Sequence, residues 1–233
     1  MLEDLKKSVC QANKMLPEYG LVILTWGNVS GIDRKRNWIV IKPSGVPYDK
    51  LSASDMVVTD LDGKVIEGSL QPSSDLQTHL ELYKKFPSIG GVVHTHSMNA
   101  VAFAQARMDI PSFGTTHGDY FFGAIPCTRE MKFEEISNNY EHNTGKVIVE
   151  EFMHRNIDPM SIPGVLVCSH GPFTWGKNPM DALNNAFILE TLAHMAIKTM
   201  VISPKADPMQ KSLLEKHYLR KHGPNAYYGQ KLM

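Results

Sequence analysis

The sequence predicts an α/β layered fold whose sheet is mixed or mainly antiparallel. Apolar, β-rich runs alternate along the chain with segments of helical periodicity, as they do in layered domains. The segment MVVTDLDGKVIEG contains two short strand patterns around Asp62-Gly63, a pair that favours a tight hairpin turn. The 233 residues contain no internal repeat and no long Pro/Gly/Ser linker. We therefore expect a single domain spanning residues 1–233.

The N-terminal half is expected to begin with a helix, because apolar residues between Leu2 and Leu16 recur at spacings of three and four. Pro17 and Gly20 should end this helix. The runs LVILTW and WIVI are β-rich and predict two strands before the hairpin. Ser73 is a good N-cap for a short helix that ends before the next proline.

The rest of the chain is expected to begin with a strand at GGVVHTH, followed by an Ala-rich helix capped by Ser97. PGVLVCSHG has the pattern of a buried strand that ends in a Gly-Pro turn. A long helix is predicted from about Pro179 to Met200, with proline at its start. The last helix, MQKSLLEKHYLRKH, should end at Gly223.

Composition and charge exclude several classes of protein. The 24 Lys and Arg residues are balanced by 24 Asp and Glu residues, and no basic run is present, so we expect no nucleic-acid partner. The sequence contains no apolar stretch long enough to span a membrane, and MLEDLKKS lacks the order of a signal peptide, so a cytoplasmic protein is expected. The three cysteines have no CxxC spacing, which argues against a disulfide framework or a thiolate zinc site.

Histidines carry the candidate chemistry. Alternate residues of a strand face the same side, so His94 and His96 in VVHTH are predicted to project together, with Thr95 pointing away. Two imidazoles on one rigid face form half of a metal site. On its own, however, an H-x-H pair is more often two surface or hydrogen-bonded histidines.

Two further residues strengthen the metal hypothesis. His170 stands where a predicted strand meets a loop, and Asp75 stands at the start of the helix after PSS. Three neutral imidazoles with a carboxylate or water are a typical catalytic zinc set, because a coordination position remains for a substrate oxygen. Taken alone, His170 is more simply explained as a satisfied core histidine. His117 and His217 are candidate substrate contacts.

Three polar turns could bind an anion. TWGNVS, KPSGV and QPSSD place small residues at strand ends or helix starts, where backbone N–H groups and hydroxyls can cradle a phosphate. Ser73-Ser74 would lie at a helix N-terminus, and Lys42 could add a cation. Each turn alone is weak evidence, since such residues are common in turns. Together they suggest a small phosphorylated substrate.

Ordered motifs along the chain identify a family. TWGNVS, IKPSGV, PSSD, GGVVHTH, TTHGDYF, IPCTR, HGPFTWG and KHYLRKHGPNAYYGQ closely resemble the class II aldolase/adducin superfamily, in its L-ribulose-5-phosphate 4-epimerase branch. The likeness spans nearly the whole chain. It implies a central mixed, largely antiparallel sheet flanked by helices. It also implies a homotetramer with active sites at subunit interfaces.

The resemblance also implies roles for individual residues. One zinc ion per subunit, for which Mn²⁺ or Co²⁺ could substitute, would be bound by Asp75, His94, His96 and His170. The substrate and its phosphate would be bound by Gly27, Asn28, Lys42, Ser44, Gly45, Ser73, Ser74, Thr115, His217 and Arg220. Asp119 and Tyr228 would be the acid/base pair. Without the resemblance, Asp119 is more simply a loop cap and Tyr228 a surface aromatic of the tail.

The implied activity is C4 epimerisation of L-ribulose 5-phosphate to D-xylulose 5-phosphate. C4 is not adjacent to the carbonyl, so its hydrogen is not acidic, and cleavage of the C3–C4 bond followed by re-addition avoids direct deprotonation. Zinc would stabilise the enediolate left by cleavage. Re-addition to the other face of the aldehyde needs proton-transfer groups on opposite faces, for which Tyr228 and Asp119 are the candidates. The segment Ala226–Gln230 would close over the metal of a neighbouring subunit.

Two alternatives stay open at this point. An aldolase that releases its aldehyde is disfavoured by Asp75, because the resemblance predicts the longer Glu there in the aldolase branch. A binding module like the adducin heads is disfavoured by the retained histidine trio. Relatives in this branch serve L-arabinose or L-ascorbate breakdown, which the sequence does not distinguish. The extra residues Lys231, Leu232 and Met233 could alter the placement of Tyr228.

Overall fold

Residues 2–228 are described by a computed structural model of the chain. The strands are β1 (Gly27–Asp33), β2 (Trp38–Ile41), β3 (Val57–Asp60), β4 (Val65–Glu67), β5 (Gly91–Thr95), β6 (Gly164–Val167) and β7 (Gly171–Gly176). The α-helices are α1 (Glu3–Glu18), α2 (Leu76–Lys85), α3 (Met98–Ala106), α4 (Thr115–Gly118), α5 (Phe133–Ser137), α6 (Tyr140–His154), α7 (Pro179–Ile202) and α8 (Lys211–His222). Two short 3-10 helices, Tyr48–Lys50 and Ala53–Asp55, join β2 to β3.

The strands of residues 2–228 form one sheet in the order β4-β3-β2-β1-β5-β7-β6. Each neighbouring pair in this order is antiparallel. The predicted layered fold with helices flanking a largely antiparallel sheet is therefore confirmed. The strand that carries His94 lies at the centre of this sheet, between β1 and β7.

Both faces of the sheet are buried against helices. Ile39 and Val92 pack into one apolar cluster, while their neighbours Val40 and Val93 pack into a second cluster. This alternation is expected of a strand whose two faces are both covered. Helix α1 packs against β1, and α7 packs against β5 and β7. A rigid sheet centre, covered on both sides, therefore supports the strand end where the histidines lie.

One predicted strand is wrong. The run LVILTW forms a loop, in which Leu24 has a φ of 56° and Trp26 is more than half exposed. The strand begins instead at Gly27, and it takes a central place in the sheet. At Gly31 in this strand, an added Cβ would lie 2.8 Å from side-chain atoms of both Leu5 and Pro179, so α1 and α7 pack closely only because this residue is glycine.

The predicted strand PGVLVCSHG ends earlier than expected. β6 stops at Val167, Ser169 turns the chain with a φ of 59°, and Gly171-Pro172 begin the next strand instead of ending the first. The two strands form a hairpin with Val167 opposite Gly171. His170 therefore stands in a tight hairpin turn, immediately before β7.

The other predicted elements are found with shifted ends. The hairpin at Asp62-Gly63 is confirmed, and Gly63 has the positive φ, 85°, that the turn needs. Helix α2 begins at Leu76 with Asp75 as its N-cap, two residues after the expected Ser73. No helix was predicted for α4, α5 or α6. The sequence predicted no segment that could span a membrane, but by length and composition alone α7 could do so. About 28% of its apolar window is buried, and the helix packs against β5 and β7.

Candidate active site

The end of β5 brings His94 and His96 together, as the strand periodicity predicted. His94 lies opposite Asn28 of β1 and Phe173 of β7, and its side chain is almost fully buried, with 1% exposure. Its ring stacks on that of Phe173, with centroids 4.1 Å apart. His96 lies just beyond the strand and is exposed. The Nε2 atoms of the two histidines are 3.1 Å apart.

The hairpin turn between β6 and β7 places His170 against this pair. Its ring centroid lies 4.7 Å from that of His94 and 5.0 Å from that of His96. One nitrogen from each of the three rings lies within 4.8 Å of the other two. Imidazole nitrogens that converge at this spacing form a group that could hold a divalent metal ion.

The second nitrogen of two of these rings is already occupied. The N–H at Nδ1 of His94 donates to the carbonyl of Pro172 at 3.0 Å. Nε2 of the neutral ring therefore carries no proton, and its lone pair can bind a metal. Nδ1 of His170 lies 3.2 Å from the hydroxyl of Tyr140. Burial lowers the pKa of both His94 and His170 to about 3. Both rings are therefore neutral near pH 7, which is the state that binds a metal.

Asp75 lies at the edge of this group. Although it occupies the N-cap position of α2, its side chain makes no capping bond to that helix. Its Oδ2 instead accepts a 2.7 Å hydrogen bond from the amide of Asn28. Asp75 lines the same cleft as His94, His96 and His170, and its role as a fourth ligand stays a prediction.

A cleft of about 540 Å³ opens in front of the histidines. The loops that follow β2 and precede α2 also line it, and they are joined where the Ser73 N–H donates to the Lys42 carbonyl at 3.0 Å. Seven of the predicted substrate contacts line this cleft: Gly27, Asn28, Lys42, Ser44, Gly45, Ser73 and Ser74. The three polar turns of the sequence are thus brought to one site.

Lys42 is the buried cation of the cleft. The residue is 2% exposed, and its Nζ donates to the carbonyl of Pro43 at 3.2 Å and lies 5.0 Å from the ring centroid of Tyr48. Burial lowers its pKa to about 8. The ammonium is therefore largely charged at neutral pH but has lost much of its hydration, so an anion in the cleft would be a strong partner for it.

Five other residues line the cleft and were not predicted: Thr25, Trp26, Pro43, Tyr140 and Glu141. Thr25, Trp26 and Pro43 adjoin polar turns that the sequence did single out. Tyr140 and Glu141 open α6, which packs along α2. No local pattern connects them to the histidines, since only the packing of α6 brings them there.

The remaining predicted residues, together with Lys221, which was not predicted, form a second group, which we call the α4–α8 cluster: Thr115, Asp119, His217, Arg220, Lys221 and Tyr228. Thr115 belongs to it through its backbone carbonyl, which accepts from the N–H of Asp119 at 3.0 Å. Asp119 follows α4 and accepts hydrogen bonds from Nε and Nη2 of Arg220 at 3.0 and 2.8 Å. It also accepts from Nδ1 of His217 at 3.0 Å, and Nζ of Lys221 lies 3.5 Å away. Burial opposes ionisation of this carboxyl, but the bonds from Arg220 and His217 outweigh it and lower the pKa of Asp119.

Tyr228 joins the same cluster through its ring. The guanidinium of Arg220 lies 4.9 Å from the ring centroid, and Nζ of Lys221 lies 4.4 Å from it. The backbone N–H of Tyr228 donates to the carbonyl of Arg220 at 3.1 Å, and the residue is 59% exposed. The rest of the predicted closing segment, Gly229 and Gln230, and the extra Lys231, Leu232 and Met233, lie outside the described residues.

Within residues 2–228, the cleft and the α4–α8 cluster have no residue in common. Thr115, Asp119, His217, Arg220 and Tyr228 are thus grouped with one another and apart from the histidines. His117 belongs to neither group. It donates to the carbonyl of Gly123 at 2.6 Å, and burial lowers its pKa to about 4. Its role as a substrate contact stays a prediction.

A profile of the class II aldolase and adducin N-terminal domain family matches residues 7–197. The chain belongs to the class II aldolase and adducin family. The matched range includes every residue that lines the cleft and ends before α8. The expected family is thereby confirmed.

Relatives within this family match over nearly the whole chain. The chain is 56% identical over 230 residues to proteins named L-ribulose-5-phosphate 4-epimerase UlaF from Salmonella paratyphi B (strain ATCC BAA-1250 / SPB7) and Salmonella choleraesuis (strain SC-B67). Each match covers 99% of this chain and 100% of the relative. The α4–α8 cluster, which extends beyond the family profile, thus lies within the segment shared with these proteins.

Among solved structures, the chain is similar to an L-fuculose 1-phosphate aldolase, with a TM-score of 0.77 and 24% identity. That match covers 92% of this chain and 94% of the aldolase. An L-fuculose 1-phosphate aldolase from Glaciozyma antarctica PI12 gives a TM-score of 0.75 at 15% identity, covering 93% of this chain and 80% of its own. These likenesses concern the fold of the class II aldolase and adducin family.

Proposed function

We propose that this chain is an L-ribulose-5-phosphate 4-epimerase, which inverts C4 and gives D-xylulose 5-phosphate. The observation that carries the proposal is the convergence of three imidazoles, those of His94, His96 and His170, in a cleft that is also lined by the three polar turns. Relatives that are 56% identical over 99% of the chain bear this name. The reaction consists of cleavage of the C3–C4 bond, rotation of the aldehyde and re-addition to its other face.

The metal of this site is proposed to be Zn²⁺, bound by the three histidines and Asp75, with Mn²⁺ or Co²⁺ as substitutes. The donor set fits such an ion, because His94 and His170 are neutral and each has one ring nitrogen engaged elsewhere. A bound divalent ion supplies a Lewis acid that polarises a carbonyl and stabilises negative charge on oxygen. Asn28 orients Asp75 through the 2.7 Å hydrogen bond between them.

The phosphate is proposed to bind at the wall of the cleft formed by the loops that follow β2 and precede α2. Lys42 supplies a cation there, and Ser44, Ser73 and Ser74 supply hydroxyls and backbone N–H groups on the joined loops. A phosphate anchored at this wall keeps the aldehyde fragment in the cleft after the C3–C4 bond breaks. Retention of the fragment is what separates an epimerase from an aldolase, which releases it.

Proton transfer is assigned to Asp119 and Tyr228, which requires a second copy of the chain. Both residues belong to the α4–α8 cluster, and neither lines the cleft within residues 2–228. An assembly in which the cluster of one subunit faces the cleft of the next would complete the site, as in the homotetramer that the family resemblance implies. Thr115, His217 and Arg220 would then contact the substrate from the neighbouring subunit.

The remaining features of the proposal follow from the same relatives. Residues 1–233 are proposed to form one domain, and the protein is proposed to act in the cytoplasm on a sugar phosphate produced in carbohydrate breakdown. No nucleic-acid or membrane partner is part of the proposal.

The decisive experiment incubates the purified full chain with L-ribulose 5-phosphate and follows the formation of D-xylulose 5-phosphate. We expect epimerisation that stops when a chelator removes the metal and returns when Zn²⁺ is added. Epimerisation that persists in metal-depleted protein would contradict the proposal. Net release of an aldehyde from an L-ketose 1-phosphate, without epimerisation, would instead identify an aldolase.

A further inference from the structure

The first turn of α6 reaches the cleft beside the three histidines. Asn139, with a φ of 52°, turns the chain so that α6 begins at Tyr140. The hydroxyl of Thr78 on α2 donates a 2.6 Å hydrogen bond to the backbone carbonyl of Glu141. This bond ties the start of α6 to the helix that follows Asp75. Tyr140 is therefore held at a fixed place relative to the metal-binding group.

Tyr140 contacts His170 in two ways. Its hydroxyl lies 3.2 Å from Nδ1 of His170, and the two rings stack with centroids 6.1 Å apart and planes inclined by 29°. His170 lies in the hairpin turn between β6 and β7, so its backbone does not form strand hydrogen bonds to neighbours on both sides. The orientation of its ring therefore depends more on side-chain partners than that of His94 does.

His94 shows what such a partner does. Nδ1 of His94 faces the carbonyl of Pro172, which can only accept, so the single ring proton must be on Nδ1 and Nε2 must be bare. The proton of a neutral His170 has the same two choices, and only the Nδ1–H form leaves Nε2 free for a metal. The hydroxyl of Tyr140 can donate or accept at Nδ1. When it accepts the ring proton, the bond holds the metal-binding form.

We infer that Tyr140 is a positioning residue of the metal site: its hydroxyl accepts the Nδ1 proton of His170 and thereby fixes the ring with Nε2 turned towards His94 and His96. The inference rests on the proposed metal-dependent function. It gives a role to a cleft residue that no sequence motif singled out. Partners of this kind orient the ligand and raise its basicity, and their loss typically weakens metal binding about 10- to 100-fold.

The test is Tyr140→Phe in the full chain, which removes one oxygen and keeps the stacked ring. We expect the Zn²⁺ dissociation constant, measured by competition with a chromogenic chelator, to rise about 10- to 100-fold. The visible absorption of the Co²⁺-loaded protein should also change, because it reports the geometry of the ligand rings. Turnover of the variant should rise as Zn²⁺ is raised to saturation, as expected when metal affinity is what was lost.

A matched control is Tyr19→Phe, which removes a hydroxyl from a ring that contacts Phe187 and no histidine. It should leave the Zn²⁺ dissociation constant unchanged. The inference is overturned if Tyr140→Phe binds Zn²⁺ as tightly as the unaltered chain. It is also overturned if turnover falls at saturating Zn²⁺ while affinity is kept, since Tyr140 would then act on the substrate.

Two further measurements separate this inference from other failures. The melting temperature of the metal-free protein should be the same with Tyr140→Phe, and a fall of more than about 4 °C would assign the hydroxyl to general stability instead. If the unaltered chain binds no Zn²⁺ and does not epimerise its substrate, the proposed function fails. If the unaltered chain does both and Tyr140→Phe matches it, only the role of Tyr140 fails.

Discussion

The cleft and the α4–α8 cluster hold their ionisable groups in opposite ways. In the cleft, burial lowers the pKa of His94, His170 and Lys42. In the cluster, Asp119 is ionised and bound by Arg220 and His217. The cleft therefore keeps unprotonated ring nitrogens available to bind a metal. The cluster keeps its charges engaged with one another, so it could not bind a metal in the same way.

The contrast suggests a division of labour. In the proposed mechanism, metal binding is assigned to the cleft and proton transfer to the α4–α8 cluster. Within residues 2–228, Asp119, which follows α4, and Tyr228, which follows α8, do not line the cleft of their own chain. The predictions below test the separation, beginning with the largest effect.

Removing a cleft histidine should abolish activity. We expect His94→Asn to lose its bound Zn²⁺ and to lower turnover by at least about 10³-fold, since a Lewis acid contributes several kcal/mol and each 1.36 kcal/mol is a factor of ten. Metal content by mass spectrometry and the epimerisation rate measure this. His154→Asn, at an exposed histidine near the end of α6, is the control and should keep both. Full activity in His94→Asn would remove the histidine group from the mechanism.

Co-assembly of a cleft variant with a cluster variant tests whether each active site takes its cleft and its α4–α8 cluster from different subunits. His94→Asn and Asp119→Asn should each be nearly inactive alone, Asp119→Asn by about 10²-fold or more because a proton-transfer group is lost. Co-assembly of the two variants in equal amounts should recover activity at about a quarter of the sites, if each site takes its cleft from one subunit and its cluster from the next. Samples mixed without subunit exchange serve as the control. The absence of recovery would place both regions in one chain's site.

The two regions also differ in how far the sequence could predict them. His94 and His96 follow from strand periodicity alone, since alternate side chains must share a face. His170 lies with them although its strand ends earlier than the sequence predicts, because the pattern places both a strand end and a turn near it. Tyr140 and Glu141 could not be predicted, since they reach the cleft only through the packing of α6 on α2.

The fold shows the same limit. WIVI became β2 as predicted, whereas LVILTW became a loop because the neighbouring GNVSGID took the central strand position. Local β-propensity favoured the first run, but the glycine at position 31 allowed α1 and α7 to approach the second. Tertiary packing, not local propensity, therefore determined which of these two adjacent segments formed the strand. Within the α4–α8 cluster, Thr115, Asp119, Arg220 and Tyr228 follow only from the family resemblance, since no spacing connects Asp119 with Tyr228.

Tyr228→Phe should separate proton transfer from metal binding. The phenol oxygen is lost while the ring can still lie against Arg220 and Lys221, so the cluster should persist. We expect turnover to fall about 10²-fold, as for loss of a general acid or base, with Zn²⁺ content unchanged. Tyr227→Phe, at the exposed neighbouring tyrosine, is the control. Unchanged turnover in Tyr228→Phe would exclude the tyrosine from the reaction.

Lys42 should make substrate binding depend on pH. Burial lowers its pKa from the usual value near 10.5 to about 8, so the ammonium is charged below pH 8 and is lost as the pH rises through 8. The phosphate is already a dianion in this range. We expect KM for L-ribulose 5-phosphate to rise about fivefold between pH 7 and pH 9, because a charged hydrogen bond is replaced by a neutral one.

Lys42→Met is the control for this pH effect. It should have a raised KM already at pH 7 and no further rise up to pH 9, since it has no proton to lose at this position. A rise in KM that is equally steep in Lys42→Met would show that another group titrates.

The smallest expected effect concerns the support behind the cleft, where Ser30 links two buried side chains. Its hydroxyl lies 2.8 Å from Nδ1 of His79 and 2.8 Å from the hydroxyl of Tyr83. Ser30→Ala leaves both of these atoms buried without this partner, which should lower the free energy of unfolding by about 1–3 kcal/mol in urea denaturation. Ser54→Ala, at an exposed serine, should change it by less than about 0.5 kcal/mol. Because Ser30, His79 and Tyr83 do not line the cleft, turnover per folded molecule should be nearly unchanged. A large loss of turnover with little loss of stability would mean instead that the cleft and its support act as one unit.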